Sequence, residues 1–564
     1  METRSSALYT ALPALVCIFI IFCAANMWWQ PLTTDENDFF LAIANWHEQR
    51  YLIPHPHLYV HWAQGLFALL GANVGALRLS VLLPNLATVA LLVWLSRLIC
   101  QDTARQNSWP AVASLAVALY GLNPLTVQNS VLIDIDNGLL TIALTGLLCL
   151  WLSLRSRPAL LRVAVLSVAF AVCLWVKLPT PPILAAAITA YQLLCRRWGE
   201  AGLAVTFTLV GIVLFAAAHT VYGAVTGYTL SDAFTALAGR ARYEILWQAP
   251  SNFVQTTGVM LFWLGLPFVV LIAPAAWDSL RRLMSGQSQA QDLGLIYVAG
   301  VFAFYGIVIV PAWGYPRYHT PALPILALVV SAWVIGQIKQ ASRTFWIAML
   351  AIGIGGAAYL MFVVGDPMYD IYWATFETTD IGERLRIGGL TVALLAVPVL
   401  IVVAVSVLLA RGIRTSLAAM LSGSLTALAL GSSIAIDLIQ STAHYSTRYR
   451  YTYVYADRQR ATEVVRANVP PNGYSLTDKD LLWYAGRPGE QIYPYLSDPA
   501  KLKATMRTRR IDVIAWAQKE KLKASALNAN TEVLAILEQC YRSQHFGIFT
   551  VLTRTSNESC LGIR

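Results

Sequence analysis

Charge is what this sequence has least of. Asp, Glu, Lys and Arg make up 12% of its 564 residues, about half the share of an ordinary soluble domain. That excludes a chain that is soluble throughout. Phosphate-cradling glycine loops are missing too. Neither G-x-x-x-x-G-K-[ST] nor G-x-G-x-x-G occurs, which speaks against a nucleotide-driven pump. There is no internal repeat and no low-complexity tract, whereas many transporter folds are built from repeats. Cysteine is scarce: of eight, six lie in or beside apolar runs, where a buried structural thiol is the ordinary reading. Cys540 and Cys560 stand apart in the C-terminal tail, where an oxidising compartment would permit a disulfide.

What the chain has in abundance is apolar sequence. It is 57% hydrophobic, with a mean hydropathy of +0.57. Runs near the ~20 residues needed to cross a bilayer recur through the first three-quarters of the chain. About thirteen are expected, near 7–29, 77–98, 109–129, 138–154, 160–176, 180–195, 201–222, 254–276, 293–312, 320–338, 345–364, 387–410 and 416–439. The first run lacks a small-residue cleavage site and ends on Trp28 and Trp29, so it reads as a retained helix rather than a signal peptide.

The formal net charge is +10, and its placement matters more than its sum. Arg4, Arg97, Arg105, Arg155, Arg157, Arg162, Arg196, Arg197, Arg281, Arg282, Lys339, Arg343, Arg411 and Arg414 fall at the start or in alternate short loops. The positive-inside rule puts those loops in the cytoplasm. The loops with Asp35, Asp134, Lys177, Glu244, Arg317 and Asp366 are then outside, as is the tail. In the long first outer loop, "AIANWHEQRYL" and "YVHWAQGLFALLG" have amphipathic spacing and read as interfacial helices.

Composition changes near residue 440. The first part, 1–440, is expected to be an all-α polytopic membrane domain, and 441–564 a small extracytoplasmic α/β domain. In the tail, "RQRATEVVRANV" and "TEVLAILEQC" have helical spacing, "PPNG" is a turn signal, and "IDVIAWA" and "FGIFTVLTR" have strand composition.

The outer ends gather polar groups. Asp35 and Glu36 open the first loop, and His47, His55, His57 and His61 follow. "IDIDNG" carries Asp134 and Asp136, "WVKLPTPP" carries Lys177, "AAAHTVYG" carries His219, and "GYPRYHTPALP" carries Arg317, Tyr318 and His319. Each has an ordinary reading. A cation at a span end snorkels, acidic pairs at loop starts are solvated, and tyrosines form interface belts. His55 and His57, split by Pro56, lack a tight metal-ligand motif. Asp134 and Asp136 are harder to dismiss, because ionisable groups at the membrane edge are costly.

Together these residues suit transfer of a sugar from a polyprenyl phosphate. Such a donor has an apolar tail and an anionic phosphate at the membrane surface. Transfer needs a base for the acceptor hydroxyl and cations near the leaving phosphate. Lys177 and Arg317 would supply the cations, with Arg240 and Arg242 in support.

On these residues the chain resembles the C-type-fold (GT-C) glycosyltransferases that use polyprenyl-phosphate sugars, which include lipid A aminoarabinose transferases and protein O-mannosyltransferases. The matching features are the Asp35–Glu36 pair after the first span, "HPHLYVHWAQGLFALLG", an Arg-Leu in the second span, an acidic residue before the fourth, a lysine after the fifth, and a Y-x-R-Y…P-x-L-P segment. The match covers roughly residues 1–330 by motif and the rest by layout. His57 stands where a second proline is expected, and "LPTPP" follows Lys177 instead of a glycine. The resemblance implies an inverting transferase. Asp35, Glu36, Asp134 and Asp136 would be catalytic, and Lys177, Arg317, Tyr318, Arg242 and His57 would bind substrate. A divalent metal ion is the one cofactor it allows, with His219 and His55 as ligands. The expected partners are a polyprenyl-phosphate-linked sugar, a glycan, lipid or protein acceptor, and the membrane, with no nucleic acid. The expected location is a bacterial inner membrane with a periplasmic tail. The competing readings are a transporter or flippase of lipid-linked sugars and a non-catalytic component of envelope assembly.

Overall fold

The computed structural model describes residues 2–29, 34–44, 53, 55–101, 108–238, 263–305, 317–338, 342–364, 381–412, 416–442, 450–478, 481–482, 485–496, 498–517, 530–547 and 549–555. The chain divides into two compact units. The first joins residues 1–30 to 38–441, and the second joins 31–37 to 442–564.

The first unit is helical. Its elements are α1 (Glu2–Trp29), α2 (Thr34–Ala44, whose first turn belongs to the second unit), α3 (Leu58–Leu70), α4 (Val74–Gln101), α5 (Trp109–Gly121), α6 (Pro124–Asn129), α7 (Thr141–Ser153), α8 (Ala159–Val176), α9 (Thr180–Leu194), α10 (Trp198–Thr226), α11 (Leu230–Ala238), α12 (Leu266–Met284), α13 (Ala290–Ala303), α14 (Leu323–Gln337), α15 (Arg343–Tyr359), α16 (Ile381–Gly412) and α17 (Leu417–Thr442). In lipid a helix satisfies its own backbone groups, so apolar runs take this form. Seven described helical segments are long and apolar enough to cross a membrane, and six shorter apolar helices accompany them. Local chemistry sets several boundaries. Asn123 caps α6 by accepting from the Leu125 backbone N–H at 3.0 Å. Prolines occupy the first turns of α5, α6, α9 and α14, where no N–H is needed.

One expected boundary moves. The span expected to end at 276 runs on, as α12 (Leu266–Met284), so Arg281 and Arg282 sit in a last helical turn rather than a loop, while 254–262 lie outside the described residues. Arg282 bonds Asp292 at 2.5 Å and Ser279 Oγ at 2.8 Å, and cations there suit the helix dipole. Two irregular turns carry the candidate site. A π-helical turn, Asp136–Leu140, leads into α7, and a 3-10 turn, Arg317–Ala322, leads into α14. The two turns pack together, and the π turn also packs on α4.

The second unit is a three-layer α/β fold. Its sheet has five strands, β1 (Ser475–Thr477), β2 (Gly489–Gln491), β3 (Val513–Ala517), β4 (Tyr541–Phe546) and β5 (Phe549–Arg554), in the order β2-β1-β3-β5-β4. The first three are parallel, while β5 runs antiparallel to both β3 and β4. Strand residues alternate between two cores. Val513, Ala515 and Val551 join Ala461 and Val465 of α18 (Arg450–Asn468). Leu476, Ile514 and Leu552 join Tyr495 of α19 (Tyr493–Leu496), Leu502 of α20 (Pro499–Thr508) and Val533 of α21 (Thr531–Cys540). The run expected as one strand from Phe546 to Arg554 is the tip and return strand of a hairpin. Gly547, at φ 52°, supplies the left-handed turn that separates β4 from β5. Cys540 is disulfide-bonded, while Cys560 lies outside the described residues.

Candidate active site

Four membrane-unit residues singled out in the sequence meet in one buried centre. Asp134 follows α6, Asp136 starts the π turn, Lys177 follows α8, and Arg317 starts the 3-10 turn. Lys177 Nζ donates to Asp136 Oδ2. Arg317 Nη1 pairs with Asp134 Oδ2 at 2.9 Å. The Asp136 backbone N–H donates to Asp134 Oδ1 at 3.0 Å, so the two acidic residues are also tied to each other.

Burial is deep here. Lys177 is 2% exposed, Asp136 1% and Asp134 6%. Isolated charges would be expelled from such a place, and paired ones persist. Burial pushes the Asp134 carboxyl up, but Arg317 and then Lys177 pull harder and hold it below the usual carboxylate range, with His55 adding to the pull. Among the described residues Asp136 Oδ1 has no hydrogen-bond partner, which leaves one acceptor oxygen in the centre unused by them.

Tyr318 packs between the cations. Lys177 Nζ lies 4.2 Å from its ring centroid and the Arg317 guanidinium carbon 5.2 Å, distances at which the ring face attracts a cation. Tyr305 stacks on Tyr318 at 5.2 Å and 11°, and is held by Thr180 at 2.6 Å. Beneath them Thr320 donates to the Arg317 carbonyl at 2.6 Å and accepts from Asn129 at 2.5 Å. Thr141 donates to the Asp136 carbonyl at 2.7 Å. Sequence reasoning missed Tyr305, which lies in apolar sequence with nothing to mark it, and also Asn129 and Thr141. Thr180 and Thr320 lay within stretches already singled out.

The π turn owes its place to a glycine. A Cβ on Gly138 would meet the Val81 carbonyl oxygen of α4 at 2.8 Å. Only a bare Cα lets the turn sit this close, and π turns recur where function needs an extra residue in a helix.

His57, His61 and His219 gather elsewhere. His57 Nδ1 and His61 Nε2 each bond the Tyr222 hydroxyl at 2.9 Å. His57 packs on Tyr228 at 4.1 Å, and His219 stacks on Trp175 at 5.2 Å. The structure therefore groups His57 with His219, and puts His55 within electrostatic reach of Asp134 instead. Among the described residues no group of three or more His, Cys, Asp or Glu could hold a metal ion, and both carboxylates of the centre are engaged by cations. Asp35 and Glu36 lie in the first turn of α2, in the segment grouped with the second unit. Glu36 is 1% exposed, and the Asp35 side chain is outside the described residues. Arg242 and His47 are also outside them.

No family model matches this sequence, and no curated protein matches it. Solved structures do. The fold is similar to that of ArnT from Cupriavidus metallidurans bound to undecaprenyl phosphate, at TM-score 0.56 and 13% identity over 96% of this chain and 98% of that one. It is similar to the apo state of the same protein at TM-score 0.57 and 13% identity, over 98% and 99%. The archaeal oligosaccharyltransferase AglB from Archaeoglobus fulgidus, in complex with an inhibitory peptide and a dolichol-phosphate, aligns at 0.49 and 10%, over 99% of this chain and 75% of that one. With several apolar helices of spanning length, the chain is a multi-pass membrane protein with the C-type glycosyltransferase (GT-C) fold.

Proposed function

We propose that the protein is an integral membrane glycosyltransferase that takes a sugar from a polyprenyl phosphate and gives it, with inversion, to a hydroxyl or phosphate acceptor on a lipid, surface glycan or protein. The observation that carries this reading is the buried pairing of Lys177 with Asp136 and of Arg317 with Asp134 on a fold shared with a protein that binds undecaprenyl phosphate. Lys177 and Arg317 would receive the carrier phosphate. A guanidinium suits bidentate phosphate contact, and cations stabilise the charge that grows on the phosphate as the glycosidic bond breaks. A phosphate leaves readily, so no second carboxylic acid is required. Asp134 and Asp136 keep the cations in place when no donor is bound, and the spare Asp136 oxygen would accept from a sugar hydroxyl. Tyr318, flat against both cations, fixes their approach. Asp35 is the proposed base, on its place in the first outer loop and on the resemblance, with Glu36 as an acceptor contact.

The test is transfer by the purified protein from labelled polyprenyl-phosphate sugars, paired with mass spectrometry of lipid A and surface glycans from a deletion strain. Asp35→Ala should abolish transfer at least ~100-fold, in the range expected for a general base, while expression and lipid binding persist. Full transfer by that variant would remove Asp35 as the base. A deletion strain with unchanged glycans and altered lipid-linked sugar distribution would favour a flippase.

A further inference from the structure

The four helices around the candidate centre have a second polar end. The π turn and α7 run from Asp136 to Ser153, α8 from Ala159 to Val176 with Lys177 next, α9 from Thr180 to Leu194 and α10 from Trp198 past His219. Asp136 and Trp151 are 15 residues apart, as are Arg162 and Lys177. At 1.5 Å per residue each interval spans about 22 Å. The far ends enclose a cavity of about 190 Å3 lined by Trp151, Arg155, Tyr191, Gln192, Arg197 and Glu200.

This cavity is built and not a chance surface dent. Arg162, 4% exposed, grips Glu200 with both nitrogens, at 2.8 and 2.5 Å, and lies 5.3 Å from the Trp151 ring centroid. Arg155 and Arg197 also lie within electrostatic reach of Glu200, so three guanidiniums face one carboxylate. Gln192 is 4% exposed, yet among the described residues its Oε1 has no partner. Arg196 adopts φ 56°, a backbone region that L residues rarely enter, and the turn it makes presents Arg197. The flanks are apolar and open. Leu160 is 83% exposed, Trp198 70% and Leu194 59%. An exposed Trp among leucines is the signature of the interface between acyl chains and head groups.

We infer that this cavity binds the head group of an anionic phospholipid, with Arg155 and Arg197 on its phosphate and Gln192 Oε1 accepting from a head-group hydroxyl. Basic pockets between helices at a membrane surface take acidic lipids. Among the described residues three guanidiniums surround the one carboxylate, a balance that disfavours a head group carrying an ammonium. The unpartnered amide oxygen favours one that carries a hydroxyl, as glycerol does. The apolar flanks favour a lipid over free phosphate.

The test is native mass spectrometry of the purified full-length protein with phosphatidylglycerol, phosphatidylcholine or phosphatidylmethanol, the last lacking the hydroxyls. Wild type should retain phosphatidylglycerol over the other two. Arg155→Ala with Arg197→Ala should lower that retention roughly 30-fold, as expected for two charges removed at a membrane surface. Gln192→Leu should erase only the preference over phosphatidylmethanol. Arg155→Lys with Arg197→Lys keeps the charges and should keep most retention, which separates lost binding from lost folding. Equal retention of phosphatidylcholine, or unchanged retention by the double alanine variant, would overturn the proposal. So would displacement of the lipid by inorganic phosphate, which would make this a free-phosphate site. None of these readouts needs sugar transfer, so failure here leaves the transferase reading standing, and the reverse.

Discussion

Lys177 sits at 2% exposure with its ammonium on Asp136 and over the Tyr318 ring. Removing one partner of such a pair strands a buried charge, at a cost of about 3–5 kcal/mol. Lys177→Met alone should therefore lower thermal stability sharply. Lys177→Met with Asp136→Asn should recover much of the loss while leaving transfer abolished. Equal melting of the single and double variants would mean that the pair is not coupled. Asp134, Asp136, Lys177 and Arg317 were legible in the sequence because each interrupts apolar sequence at a span end. Their pairing was not legible, since it joins residues far apart in the chain. Tyr305 left no trace, since a tyrosine among apolar residues looks like any other belt or core residue.

At the scale of elements, the helices were readable because length and hydropathy dictate them in a bilayer. Their irregular starts were not. A π turn differs from an α turn by one residue per turn, and no composition marks it. Gly138 is the accessible handle. Gly138→Ala would push the turn off the Val81 carbonyl and should cost about 1–3 kcal/mol, the usual range for overpacking. Because Asp136 opens the same turn, transfer should fall more than stability alone accounts for. A variant that melts like wild type and transfers normally would show that the turn tolerates the shift. The tail hairpin is hard to read for a similar reason: β4, "YRSQHF", alternates weakly, and its last residue, Phe546, is separated from the stronger run of β5 by only two residues.

For the molecule as a whole, the order of basic and acidic ends predicts sidedness. Alkaline phosphatase fused after residue 440 or at the C-terminus should be active, and a fusion in the loop of Arg155 and Arg157 inactive. The reverse pattern would invert the assignment of both the centre and the lipid cavity. The two polar ends of α8 carry a further consequence. That helix has 18 residues, a rise of roughly 27 Å, somewhat short of the ~30 Å hydrocarbon thickness of a typical bilayer. Arg162 locks to Glu200 at one end, and the residue after the other end, Lys177, locks to Asp136. A helix pinned twice is poorly placed to slide or tilt into a thicker membrane, so the bilayer must yield instead. Thinning of the lipid beside α8 would draw the two leaflets' head groups toward the two polar ends of the helix, so on the proposed function acyl-chain length would control how easily a carrier phosphate reaches Lys177.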